Sequence, residues 1–218
     1  GYDVTDENPG EAGGNGNGHG HYWDPIKDKT PFPPDNPKRM YSLMKDSAAF
    51  VKKHAGKQPF FMMVSHYAPH IPHLCTKETF ERTKKRWVAM GRDTEGIEKE
   101  KSSVHRDITY AGMVEEMDMT LVAILDALEA KGQLDNTYVI FTSDNGGMEG
   151  GKERYTDNHP LQRGKISAME GGTRVPLIIA GPGIPKGVQT DVMANGLDFY
   201  PTILAMTKTK KPAGKNLD

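Results

Sequence analysis

Three short apolar runs, each breaking off into loop-forming residues, limit what this chain can fold into. Phe60 to Val64 follow Pro59, Val139 to Phe141 lead into Thr142 and Ser143, and "VPLIIA" ends on Gly181, Pro182 and Gly183. Unbroken apolar runs of this length read as strands buried on both faces. Helical text alternates with them. From Met40 onward, Tyr41, Met44, Ala48, Phe50 and Val51 recur at helical spacing until Gly56. Ile108, Ala111, Val114, Met117, Leu121, Ile124, Leu125 and Leu128 form an apolar stripe that Gly132 stops. "NGLDFYPTILAM" reads as a third helix, with Asp198 as N-cap and Pro201 in its first turn. Strands alternating with helices predict an α/β fold with a mostly parallel sheet flanked by helices.

Two stretches do not fit that alternation. Residues 1–37 hold Gly, Asn, Asp and Pro with little apolar periodicity, and are read as an irregular segment of the domain formed with residues 38–218. Residues 74–107 are charged and weakly patterned, and are expected to form short helices and loop. The 218 residues are enough for one sizeable core or two small ones. With 28 basic against 29 acidic residues, no charge excess points to nucleic acid. No run approaches the roughly 20 apolar residues of a membrane span, and "GYDVTDENPG" shows no signal peptide. The single cysteine, Cys75, rules out an internal disulfide and is read as structural.

In open α/β sheets ligands gather beyond the carboxyl ends of the strands, and the chain puts its unusual polar groups there. The first run opens into "SHYAPHIPH", with His66, His70 and His73. Pro69 and Pro72 splay these histidines, so a single histidine, His70, turned to a substrate fits better than a three-histidine zinc cage. The second run opens into "SDNGG". Asp144 and Asn145 suit either a tight turn or two oxygen ligands for a hard cation such as Ca2+ or Mg2+. In "PLQRGKISAMEGGTRVP", Arg163 and Lys165 flank Gly164, which suits either an anion such as sulfate or phosphate, or a solvated basic loop. His19 and His21 lie in glycine-rich text and are read as flexible loop.

The order of the blocks is more specific than any one of them. "PFFMMVSHYAPHIPH", "YAGMVEEMDMTLVAILDAL", "DNTYVIFTSDNGG", "PLQRGKISAMEGGTRVPLIIAGPG" and "LDFYPTIL" together resemble the sulfatase family across nearly the whole chain. The resemblance implies the alkaline-phosphatase-like α/β fold, incomplete in this chain. It implies that Asp144 and Asn145 are two ligands of Ca2+, with Mg2+ as the alternative ion. Lys165, with Arg163, is then a sulfate-binding residue, and His70 contacts the sulfate or the leaving oxygen. His70 and Lys165 are accordingly the expected catalytic residues. The implied substrate is a sulfated small molecule or carbohydrate, with no nucleic acid and no membrane span, in the periplasm or outside the cell.

One departure is large. The family's Cys-x-Pro-Ser-Arg motif, whose cysteine becomes formylglycine, is not found here, since Thr76, Lys77 and Glu78 follow Cys75. The family's first aspartate pair and its lysine-tryptophan-histidine block are not found either. The expectation is therefore a partial sulfatase, truncated at both ends, whose formylglycine lies in the N-terminal part and whose isolated fragment is poorly folded and inactive. A phosphodiester or phosphonate hydrolase of the same superfamily, and a non-catalytic relative that binds sulfated glycans, are the alternatives. Residues 74–107 and the loop "GMEGGKERYTDNH" are the expected local determinants of specificity.

Overall fold

The computed structural model describes residues 36–71, 73–92, 107–149 and 156–214. Almost all of the glycine-rich segment 1–37, with His19 and His21, lies outside them. In chain order the elements are α1 (Met40–His54), α2 (Lys77–Ala89), α3 (Ile108–Glu129), β1 (Val139–Thr142), α4 (Glu170–Thr173), β2 (Leu177–Ala180) and α5 (Phe199–Met206). Thr76 caps α2 by accepting Thr79 N on its hydroxyl, and Asp107 caps α3 by accepting Tyr110 N. The chain forms two units, residues 1–183 and residues 184–218.

In the first unit α3 packs against both α1 and α2. One apolar cluster joins Ala48, Val51 and Ala55 to Ala127 and Leu128, with Phe60 and Met62 against it. Phe60 also meets Phe50 edge to face at 5.4 Å. A second cluster gathers Met40, Ala68, Cys75 and Met113. Cys75 is fully buried there, and burial, reinforced by the Glu116 carboxylate, pushes its thiol up. It is a packing residue, as its sequence context suggests.

The buried face of α3 differs from the stripe read off its apolar residues. Gly112, Met113, Glu116 and Thr120 are buried while Val114 is exposed. Two contacts explain the rotation. Gly112 lets Cys75 approach so closely that an added Cβ would lie 2.7 Å from its Sγ. Glu116 Oε1 accepts hydrogen bonds from Thr76 N at 2.9 Å, Thr76 Oγ1 at 2.8 Å and Tyr41 Oη at 3.2 Å. A carboxylate supplied with this many donors can be buried at a much lower cost than an isolated one.

The sheet also differs in detail from expectation. Among the described residues it is one antiparallel pair, β1 with β2, Val139 opposite Ala180 and Thr142 opposite Leu177, in place of a mostly parallel sheet. Phe60 to Val64 belong to no strand and lie outside this sheet. Exposure there alternates: Phe60 and Met62 face the α1–α3 cluster, while Phe61 and Met63 are 57% and 62% exposed. One face of the segment is therefore covered, where the sequence pattern suggests two.

In the second unit, taken by itself, α5 follows a 3-10 turn, Gly196–Asp198. Its start is set by a capping box. Asn195 Oδ1 accepts Leu197 N at 2.8 Å and Asp198 Oδ2 accepts Asn195 N at 2.7 Å. Asn195 thus caps the 3-10 turn, while Asp198 stands at the N-cap of α5, as the sequence suggests, with its carboxylate turned back to Asn195 N and making no cap bond to α5. Among the described residues no helix is long and apolar enough to cross a membrane.

Candidate functional site

β1 carries its chain out of the core at Thr142 and ends in a folded tip. Ser143 Oγ donates to Asn145 O at 2.9 Å, which turns the backbone back on itself. Asp144 is exposed and Asn145 half-buried, and neither side chain makes a hydrogen bond among the described residues. Two adjacent hard oxygens held ready in this way fit Ca2+ or Mg2+ chemistry, and they account for only part of the roughly six to eight ligands that Ca2+ takes. Among the described residues no group of three His, Cys, Asp or Glu is placed to hold a metal.

After the tip, glycines let three backbone segments interlock. Gly146 N donates to Gly172 O at 3.0 Å, Lys165 N to Gly147 O at 3.0 Å, and Gly171 N to Gln162 O at 2.9 Å. An added Cβ would stand 1.8 Å from Gly171 O at Gly146, 2.3 Å from Gly147 O at Gly164 and 1.8 Å from Arg163 O at Gly171. Only hydrogen fits at these contacts. Asn158, which sequence reasoning passed over, ties the segments together. Its Nδ2 donates to Gly147 O at 3.0 Å and to Arg163 O at 3.1 Å. An asparagine in "TDNHP" carries no local sign of this bridging role, because both acceptors are main-chain atoms of other segments.

The result is a knot in which the loop of Asp144 and Asn145 touches the loop of Arg163 and Lys165 through the main chain. The knot bends the second loop hard. Arg163 and Ile166 both take positive φ, 64° and 72°, and Ile166 is β-branched and 91% exposed. Such a conformation is costly for a branched residue and persists where the surroundings impose it. The Arg163 side chain is exposed and that of Lys165 half-buried. Gly171→Ala is expected to destabilise the fold by about 2 kcal/mol or more, since overpacking against backbone leaves little room to relax. A denaturant midpoint unchanged from the parent would show that the knot is looser than this.

The three histidines of "SHYAPHIPH" separate. His66 is half-buried with Nδ1 lacking a partner among the described residues, and burial holds its pKa below the usual range, so it stays neutral at pH 7. His73 pairs with Asp107. His70 sits in a turn closed by His70 N donating to Tyr67 O at 3.0 Å, with its ring Nδ1 2.8 Å from Ile71 O. A carbonyl only accepts, so Nδ1 carries hydrogen and Nε2 is the atom available to bind or pass a proton. No hydrogen bond of the described residues joins the Tyr67–Ile71 turn to the glycine knot. A third feature of the first unit is an apolar cavity of about 460 Å³ between α2 and α3, lined by Trp87, Met90, Val114, Leu121 and Phe141 among others.

Known proteins resemble the chain over most of its length. The family model described as Sulfatase matches residues 6–209. A sulfatase of Formosa agariphila is 34% identical over 194 residues, which cover 82% of this chain and 32% of that protein. Human N-acetylgalactosamine-6-sulfatase is 29% identical over 177 residues, 80% of this chain and 30% of that one. The crystal structure of Ps i-CgsB in complex with k-i-k-neocarrahexaose superposes with a TM-score of 0.67 at 31% identity, covering 84% of this chain and 37% of the other. The chain therefore spans about a third of the length of the relatives it matches.

Proposed function

This chain belongs to the sulfatase family and its fold is alkaline-phosphatase-like, and we propose that the full protein hydrolyses sulfate esters on a carbohydrate. The observation that carries the proposal is the knot at the carboxyl end of β1. Lys165 N bonds Gly147 O, two residues past Asn145, so a pair of oxygen ligands and a pair of cations share one rigid backbone frame. Oxygen ligands beside cations suit a tetrahedral anionic group whose charge must be held during transfer. A carbohydrate is the favoured carrier of the sulfate because a structural neighbour was solved in complex with k-i-k-neocarrahexaose.

In this reading Asp144 and Asn145 are two of the ligands of Ca2+, with Mg2+ as the alternative. A bound ion held there would supply Lewis-acid polarisation of the sulfate oxygens, and a formylglycine of the full protein would supply the attacking oxygen. The remaining work falls to side chains of this chain. Lys165 offers a mobile point charge to a sulfate oxygen, and Arg163 offers a planar fork of donors. His70 has its Nδ1–H engaged by Ile71 O, so its protonated form presents Nε2–H. That proton passes to the bridging ester oxygen as the bond to sulfur breaks, and the sugar leaves as a neutral hydroxyl.

The test is release of inorganic sulfate from a sulfated oligosaccharide by the full-length protein. Sulfate release well above that from a sample stripped by chelator is expected. Hydrolysis of a phosphodiester with no sulfate release would overturn the reading in favour of the phosphate-directed alternative.

A further inference from the structure

The hydrogen bonds of the His70 turn are local among the described residues and only its Ala68 packs in the core, but three residues after His70 the chain is fastened by a polar pair. His73 Nδ1 donates to Asp107 Oδ2, and the two side chains are 8% and 14% exposed. The other oxygen of the same carboxylate accepts Tyr110 N at 3.0 Å and thereby caps α3. The His73 ring meets the Tyr110 ring edge to face at 5.2 Å. Burial alone would raise the Asp107 pKa, but the bond from His73 and the helix amides together hold it below the ordinary carboxylate value. Directly after His73, Leu74 and Cys75 are buried, and Thr76 is bonded twice to Glu116. The acids Asp107 and Glu116, at the start and in the body of α3, thus clamp the chain that leads away from His70.

We propose that His73 is a positioning residue, which through Asp107 fixes the His70 turn against the first turn of α3 and so sets where His70 Nε2 meets the leaving oxygen. This rests on the reading of His70 given above. The physical case is one of leverage. The bonds at Tyr67 O and Ile71 O shape the turn but do not locate it. Ala68, inside the turn, is buried with Met40, Cys75 and Met113, and among the described residues the polar pair that next fastens the chain after His70 is His73–Asp107. A displacement of about 1 Å at a reacting group can cost on the order of 100-fold in rate, so an anchor this close matters to turnover as well as to stability.

The experiment compares kcat and KM of the full-length protein for His73→Phe, His73→Asn, His70→Ala and the His70→Ala, His73→Phe double variant. Phenylalanine keeps the ring and its contact with Tyr110 but deletes the Nδ1–H. Asparagine restores a donor at nearly the same place. His73→Phe is expected to lower kcat at least about tenfold with KM within about twofold, and His73→Asn to recover most of it. In the His70→Ala background His73→Phe should cost nothing further, because its effect runs through His70. An unchanged kcat in His73→Phe, or the same fall in both backgrounds, would overturn the proposal. Wild-type turnover in His70→Ala would instead overturn the role given to His70 itself. Should His73→Phe fail to fold, Asp107→Ser takes its place. Serine keeps an N-cap oxygen for α3 but is too short to hold His73 as well, so kcat should fall while the helix stays capped, and an unchanged kcat there would overturn the proposal.

Discussion

Asp144→Ala in the full-length protein is expected to lose bound calcium and turnover together. The side chain is exposed and makes no hydrogen bond among the described residues, so its removal should leave the knot and the fold intact. In the proposed reading, what goes is one hard, charged oxygen of the ligand set, which Asn145 cannot replace with a neutral amide. A metal acting as Lewis acid supplies several kcal/mol at the transition state, so the fall in turnover should be on the order of 100-fold or more. Metal analysis of the purified variant beside its sulfate release checks this. Calcium content and turnover both at the parent level would remove Asp144 from the metal site and return "SDNGG" to a plain turn.

Lys165→Ala should separate the two quantities that Asp144→Ala joins. The structural bond of this residue is made by its backbone, Lys165 N to Gly147 O at 3.0 Å, and alanine keeps it. The ammonium alone is lost. Removing one such charge-stabilising donor costs roughly 100- to 1,000-fold in kcat, with calcium still bound at full stoichiometry. Lys165→Arg should recover little, because a planar fork does not replace a compact point charge on a bent loop. Calcium lost in the alanine variant would instead place Lys165 in the upkeep of the metal site.

Much of this was legible in the residues. The start of α1, the full run of α3 and the β1 strand follow periodicity and glycine stops, which depend on neighbours along the chain. The ordered blocks carried the family, which the comparisons bear out. Other features were not legible because their causes lie far away in sequence. Glu116 looks like a solvent residue on α3 until Tyr41 and Thr76 arrive with donors for it. Val114 looks like core until Gly112 draws Cys75 to a neighbouring face. Asp198 stands at the N-cap of α5, but its carboxylate turns back to Asn195 N and leaves the helix without a side-chain cap.

The three histidines show the same division. Their shared loop was evident from "SHYAPHIPH" alone. Which partner each would meet was not. Burial left His66 neutral, a carbonyl set the tautomer of His70, and Asp107 claimed His73 from 34 residues away.

The sequence by itself determined what kinds of groups stand beyond β1: a carboxylate, a carboxamide, two cations and glycines around them. Residue type and chain order settle that, and both are properties of the chain. The tertiary structure decided that those loops share one frame, since Gly146, Gly164 and Gly171 yield their space to carbonyls of distant segments. Close packing between segments is set by contacts that no stretch of sequence contains on its own.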